Sequence, residues 1–310
     1  MTKKGLVYCS TGDNFLVKSN GKFYNCKLKG KFRIKGIKST NPVVVGDMVL
    51  FNLETKKDAI GIITSIENRQ NYILRKSVKL SKLTHIIAAN IDQVFLMITL
   101  KEPKTLTPFI DRFLITAQAY RINVILIFNK TDLYNKNEYD LMQELILLYE
   151  NIGYECYQTV ATNKNTLDEV RLKLYGRVSM FNGHSGVGKS TLINAFFPNL
   201  NLNTASVSKL YQQGKHTTTY TEMFDLDDSS KIIDTPGIKG FGLVDIQKEE
   251  LSGFFLEFAK LKGLCKYKDC MHVNEPYCAV KKSIMDGFIS PSRYKSYLQI
   301  LSEDTNYRER

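Results

Sequence analysis

A chain of 310 residues, 43% hydrophobic and 24% charged, has ordinary soluble globular composition and room for two or three domains. No apolar run approaches bilayer-spanning length and residues 1–6 carry no secretory leader, so a cytoplasmic protein with no membrane partner is expected. The net charge of +12 favours an anionic partner larger than a small ligand, nucleic acid before a membrane surface.

Residues 6–8, 15–17, 22–26, 43–45, 48–53 and 61–66 read as short strands. Turn chemistry separates them at Gly12-Asp13-Asn14, Asn20-Gly21 and Gly46-Asp47. Five or six such strands in about sixty-five residues suit a small closed barrel of the OB type. A basic segment at 27–35, followed by Lys38, interleaves cations with apolar residues such as Phe32. That pattern on an OB barrel suits looped or single-stranded RNA.

Residues 69–83 read as a basic connector. Residues 94–98 and 124–128 are continuous apolar strands, as at the centre of a parallel sheet. Between them, Phe109, Phe113, Leu114 and Ala117 place a helix over 108–120. The second strand ends at Asn129-Lys130-Thr131-Asp132, an N-K-x-D sequence at the edge where α/β sheets bind ligands. The Asp132 carboxylate can accept from both the ring N–H and the exocyclic amine of guanine, a pair adenine lacks. Asn129 can donate to the purine N7, and the Lys130 stem can lie along the base.

Leu141, Met142, Leu145, Leu148 and Tyr149 mark a further helix. A strand at 154–160 ends at Ala161-Thr162, where a guanine-specific fold usually places a backbone N–H against the guanine oxygen. Thr166-Leu167-Asp168-Glu169 carries a capping-box signature for a helix to about Leu174, closed by Gly176.

A strand at 178–181 then enters Gly183-His184-Ser185-Gly186-Val187-Gly188-Lys189-Ser190, a complete G-x-x-x-x-G-K-S phosphate loop, and Thr191 continues a helix to 196. The glycines let backbone N–H groups turn inward, and the helix adds partial positive charge beneath bound phosphates. Lys189 reaches the β- and γ-phosphates and the Ser190 hydroxyl ligates magnesium. With the guanine-reading tetrapeptide, the nucleotide is GTP. Asp234-Thr235-Pro236-Gly237 fits a D-x-x-G loop, Asp234 holding magnesium through water and the Gly237 N–H touching the γ-phosphate.

Of the six cysteines, Cys9, Cys26 and Cys156 read as buried thiols. Cys265, Cys270, His272 and Cys278 fall within fourteen residues, a closed tetrahedral set typical of structural zinc, one per chain. A helix from about 251 to 261 precedes them. Ser290-Pro291 begins a last helix with Tyr294, Tyr297, Leu298 and Leu301 on one face.

The order of these motifs is unusual. In an ordinary small GTPase the phosphate loop comes first; here Asn129–Asp132 and Ala161 precede it. With the barrel, the zinc motif and Gly-Lys-His-Thr-Thr-Thr at 214–219, nearly the whole chain resembles the circularly permuted GTPases of the RsgA (YjeQ) family. Lys215 stands where that family usually has arginine. The resemblance implies a multidomain protein: an all-β OB-type RNA-binding barrel at 1–68, an α/β permuted GTPase domain at 69–245 and a mainly α zinc-binding domain at 246–310. It implies GTP hydrolysis to GDP and phosphate, stimulated by the small ribosomal subunit, whose late maturation the protein assists by binding the subunit and its rRNA as a monomer.

One threonine of 217–219 closes on magnesium, Thr218 being favoured. Ile238 follows Gly237 where a Ras-like enzyme has the glutamine that orients water, so intrinsic turnover should be slow. His216 is then the candidate catalytic group. Rival readings are an RNA-binding module with a static nucleotide site and an ATP-dependent kinase. Stimulated turnover and GTP/ATP competition discriminate them.

Overall fold

Five N-terminal strands alternate inward apolar residues with outward polar ones, which makes closure into a barrel the way to bury one face. In the computed structural model, which describes residues 2–28, 41–54, 60–75, 85–197, 221–235 and 246–303, these are β1 (Thr2–Thr11), β2 (Asn14–Ser19), β3 (Lys22–Leu28), β4 (Met48–Leu53) and β5 (Gly61–Ile66). They run β1-β2-β3-β5-β4, and β4 returns to pair with β1. Val7, Phe15, Val17, Cys26, Val49, Phe51 and Ile63 fill the interior. The expected strand at 43–45 is instead a buried turn. Asp47 accepts from Val44 N at 2.8 Å and is held by Arg69, which also donates to the Pro42 carbonyl, so the segment folds onto its own side chain. Of the basic segment expected to meet RNA, residues 29–40 lie outside the described residues.

The connector expected at 69–83 contains structure. β6 (Tyr72–Arg75) pairs antiparallel with β7 (His85–Ala89). Its strands escape a periodicity reading because consecutive residues are buried on opposite sides: Ile73 packs into the main core and Leu74 into a separate cluster.

The central sheet contains β8 (Gln93–Ile98), β9 (Asn123–Asn129), β10 (Glu155–Thr159), β11 (Val178–Asn182), β12 (Glu222–Asp225) and β13 (Lys231–Asp234). The order is β10-β9-β8-β11-β13-β12, parallel except for β12, which is antiparallel to β13. Burial on both faces explains the continuous apolar runs. Val94, Leu96, Ile98, Val124, Leu126 and Phe128 face α1 (Thr107–Ala119) and α2 (Lys136–Ile152); Phe95, Met97, Ile125 and Ile127 face α3 (Asp168–Leu172) and α4 (Lys189–Phe196). β12 also meets β1 at Cys9↔Glu222, so barrel and central sheet form one continuous eleven-stranded sheet.

The capping box is not at Thr166. That hydroxyl is engaged with Val160 and Asn163, and α3 starts without a side-chain cap. The reciprocal pair belongs to α2: Glu138 N donates to Asn135 Oδ1 at 2.9 Å and Asn135 N to Glu138 Oε2 at 2.8 Å. Cys9 and Cys26 are buried as expected; Cys156 is only partly so.

Where one helix was expected over 251–261, a 3₁₀ segment (Lys248–Phe254) and a short α5 (Leu256–Ala259) are separated by extended Phe255. Breaking the helix there turns the Phe255 ring onto Phe258 and the edge of Tyr297. α6 (Ala279–Met285) was not expected; α7 (Pro291–Ser302) starts at Pro291, capped by Ser290. The C-terminal part is fastened to the central domain by a buried charge cluster. Arg293 of α7 donates to Asp111 of α1 at 2.7 Å and to Glu257 of α5 at 2.7 Å, and Asp111 also accepts from Tyr149 and Ser296. Burial opposes the Arg293 cation; Asp111 and then Glu257 outweigh it and hold the guanidinium above its ordinary range. Sequence periodicity gives no sign of this cluster, because its members are scattered over three helices.

Candidate functional site

β8 continues to β9 on one side, while the chain from β11 continues to β13 on the other. This is the strand reversal that opens a ligand crevice at the carboxyl edge of a parallel sheet. β11 delivers Gly183 to that crevice at φ +149°, so close to β8 that a Cβ would meet the Met97 carbonyl oxygen at 2.7 Å. Gly188, at φ +99°, starts α4 where a Cβ would lie 2.5 Å from the Asn129 amide nitrogen. Both positions require glycine, for conformation and for space. Val187 between them is buried, anchoring the loop, while Ser185, Gly186 and Thr191 are exposed and His184 and Ser190 half-buried. His184 lies against Phe109 of α1, with ring centres 4.2 Å apart, and burial followed by the nearby Lys189 charge lowers its pKa.

The Lys189 ammonium is folded over the loop, donating to the carbonyls of Gly183 at 2.8 Å and His184 at 3.2 Å. Burial lowers its pKa and Asp234 opposes the shift; burial raises that of Asp234 and Lys189 opposes it. The lysine of the phosphate loop and the acid ending β13 therefore share one partly desolvated field. Such a field is worth more to a phosphate or a divalent cation than the same charges in water.

The Asn129–Asp132 tetrapeptide is tied directly to the glycine-rich loop at 183–190. Asn129, fully buried, donates from Nδ2 to the Val187 carbonyl at 2.8 Å and accepts at Oδ1 from the Thr159 hydroxyl at 3.0 Å. One amide proton is thus committed to the loop. Lys130, at φ +62°, sends its ammonium to the Glu102 carbonyl at 2.7 Å, and Asp132 is exposed in the short turn Thr131–Leu133. Ala161 lies two residues past Thr159, which pairs with Asn129 across β9 and β10.

Two supporting residues were not read from the sequence. Thr159 fixes the Asn129 amide, and the Tyr134 hydroxyl donates to the Asn129 carbonyl while accepting from Leu100 N. The available signal was that Thr159 closes the strand beside β9. His216, Thr218 and Gly237 lie outside the described residues, as do 197-adjacent positions 198–220 and residues 236–245.

The family model for the RsgA GTPase matches residues 66–244, and that for the RsgA N-terminal domain matches residues 4–63. The chain belongs to the RsgA GTPase family. With that family it is a GTP-hydrolysing enzyme. Small ribosomal subunit biogenesis GTPase RsgA of Christiangramia forsetii is 56% identical over 308 residues, covering 98% of both chains. The protein of the same name from Bacteroides fragilis is 49% identical, covering 98% of this chain and 99% of its own. The crystal structure of YjeQ from Thermotoga maritima superposes with a TM-score of 0.77 at 32% identity, over 97% of this chain and 98% of that one. That of YloQ, described as a circularly permuted GTPase, gives 0.75 at 27% identity, over 100% and 97%. The permuted motif order is therefore a property shared with solved members of the RsgA fold.

The C-terminal Cys and His side chains converge. The sulfurs of Cys265, Cys270 and Cys278 and Nδ1 of His272 lie within 4.8 Å of one another. Nδ1 is 3.3–3.6 Å from the sulfurs, and Cys265 Sγ is 4.0 Å from Cys278 Sγ. A tetrahedral zinc with ordinary bond lengths needs ligand separations of roughly 3.6–3.8 Å, so this donor set fits zinc. Backbone N–H groups of Ala279 and Lys281 point at Cys265 and Cys278, which suits thiolate sulfur. Outside the ligands, Glu275 accepts from Met271 N and Val273 N, and the hydroxyls of Tyr294 and Tyr297 donate to the carbonyls of His272 and Met271. The apolar face expected for the last helix thus carries two polar tips that brace the ligand loop.

Proposed function

We propose that this protein binds the small ribosomal subunit and assists its late maturation, hydrolysing GTP to GDP and phosphate with stimulation by the subunit. The observation that carries the reading is the bond from Asn129 to the Val187 carbonyl, which joins the guanine-reading and phosphate-holding elements in permuted order. The subunit comes from the name borne by the relatives. Three units are proposed, at 1–68, 69–245 and 246–310, acting as a cytoplasmic monomer. The basic segment at 27–38 is the proposed rRNA contact.

In the nucleotide site, Asn129, Lys130, Thr131, Asp132 and Ala161 hold the guanine. Residues 183–191 hold the phosphates with Asp234 and Gly237. Ser190 and Thr218 would hold the magnesium that accompanies GTP, which would supply positive charge beside the phosphates. Zinc, held by Cys265, Cys270, His272 and Cys278, is structural. His216 is the proposed catalytic group, since apolar Ile238 cannot orient water.

Asp132→Asn removes the acceptor matched to guanine. Loss of a charge-assisted pair costs about 1.5–3 kcal/mol, roughly ten- to hundredfold in affinity. Titration with a fluorescent GDP analogue checks this, and unchanged affinity removes the guanine assignment.

The functional reading is tested by GTP turnover with and without purified small subunits. Turnover is expected to be slow alone and faster with subunits, and His216→Ala to lower the stimulated rate while sparing GTP binding. Absence of stimulation refutes the subunit reading; full stimulation of His216→Ala refutes the role of His216 alone.

A further inference from the structure

The hairpin of β12 and β13 carries Asp234 at its end, and the barrel holds the far side of that hairpin. Pairing within it is complete: Glu222↔Asp234, Met223↔Ile233, Phe224↔Ile232 and Asp225↔Lys231. Its turn is closed by Asp227, which accepts from the backbone N–H groups of Ser229 and Ser230. Met223, Ile232 and Ile233 are buried in the core on the two faces of the sheet. The hairpin is therefore a stiff unit rather than a loop. Over the three residues from Asp225 to Glu222 its length is roughly 10 Å.

Two contacts join this unit to the barrel. At one end Cys9 of β1 pairs with Glu222, and the Cys9 thiol points at the Glu222 carboxylate at 3.7 Å. At the other, the Asp225 carboxylate accepts from the Tyr8 hydroxyl of β1 at 2.5 Å and pairs with Lys18 of β2. Lys231 approaches the same carboxylate at 3.7 Å. Burial works against the Asp225 charge, and Lys18 and Tyr8 outweigh it, so its pKa is lowered. Tyr8 meets Phe23 edge-on at 5.2 Å, and the Lys18 ammonium lies 5.5 Å from both ring centres. Phe23 is 51% exposed on the outside of the barrel. A group pressing on Phe23 or Lys18 thus acts within two contacts on the strand opposite Asp234.

We propose that Asp225 is a positioning residue through which Tyr8 and Lys18 of the barrel set the placement of Asp234 in the nucleotide site. The proposal rests on the GTPase reading above. Asp225 lies three residues along β12 from Glu222, the partner of Asp234, and acts by fixing the hairpin that ends in Asp234. Loosening it should weaken the use of magnesium before it weakens nucleotide binding.

The test uses the full chain, three single variants and the double variant of the first two. Asp225→Asn keeps the shape and removes the charge. Tyr8→Phe removes one hydrogen bond at constant volume. Lys4→Ala, the control, breaks a surface ion pair with Glu67 on the barrel that touches no hairpin residue. The readouts are magnesium titration of GTP turnover, affinity for a fluorescent GDP analogue in EDTA, and thermal melting.

Asp225→Asn is expected to raise the half-saturating magnesium concentration roughly three- to tenfold, the scale of one ordinary hydrogen bond. Tyr8→Phe shifts it in the same direction by less. The double variant is no worse than Asp225→Asn, because both act through one carboxylate. GDP affinity without magnesium and the Lys4→Ala titration stay at wild-type values. Unchanged magnesium dependence in both Asp225→Asn and Tyr8→Phe overturns the proposal, even if their melting temperatures fall, since that combination marks a merely structural contact. An equal shift in Lys4→Ala also overturns it. If wild type turns over no GTP, the GTPase reading itself fails; if wild type turns over GTP and the variants keep its magnesium dependence, the failure belongs to Asp225.

Discussion

Replacing Arg293 with alanine is expected to destabilise the protein by about 3–5 kcal/mol, the cost of leaving buried charges without their partner. Arg293 has no exposed surface, and Asp111 and Glu257 are 1% and 9% exposed. Both carboxylates would remain in the interior facing each other with the cation gone. Asp111 would keep Tyr149 and Ser296, which softens the loss for one acid but not for Glu257. Urea unfolding followed by a probe in the C-terminal part measures the change. A loss below about 1 kcal/mol would show that the cluster is solvated or able to take up protons at no cost. Because the pair is expensive to bury, replacing all three residues with apolar ones of similar volume is expected to restore much of the stability.

The second large effect concerns the Cys/His cluster. Cys270→Ala is expected to release zinc and loosen the C-terminal part while leaving nucleotide binding nearly intact. Apparent zinc-binding free energies of about 10–16 kcal/mol in small domains are folding free energy as well, so losing a ligand removes a large fraction of local stability. Here α7 and the aromatic cluster of Phe255, Phe258 and Tyr297 supply a packed core of their own. The expected outcome is therefore a lower melting temperature rather than complete unfolding. Elemental analysis of wild type and variant decides the matter; metal-free wild type, carefully prepared, removes the zinc assignment. Glu275→Gln provides a milder case, since it weakens only the carboxylate that gathers Met271 N and Val273 N around the ligands.

What was legible in the sequence follows from how locally each feature is encoded. The phosphate loop is eight consecutive residues whose glycines are demanded by backbone geometry, and Gly183 and Gly188 stand where the structure needs them. The strands β8 and β9 are unbroken apolar runs because both faces are covered. Asn129 was read as a purine ligand, yet half its amide is spent on Val187, a partner 58 residues away that no local pattern discloses. The capping box was misplaced for a related reason. The motif occurs at both sites, and hydrogen bonds back to Val160 and Asn163, in the turn after β10, take up the Thr166 hydroxyl. Strands β6 and β7 escaped because their neighbouring residues serve different cores, which erases the period of two. Asp111, Glu257 and Arg293 were invisible as a group, since charge alone reads as surface.

The sheet order also governs how the protein can be made. Strand β8 ends at Ile98, but its neighbour β11 begins only at Val178. At about 5–20 residues per second, chain growth leaves that edge without its partner for roughly 4–16 s. β1 waits longer still, until Glu222 arrives beside Cys9. As that interval proceeds, β9 and then β10 add to β8 on its other side, an apolar half-sheet whose open edge is a template for pairing with other chains. The gap between β8 and β11 thus places a hazard of aggregation on the nascent chain, where slower elongation past residue 98 lengthens the exposure and faster elongation shortens it.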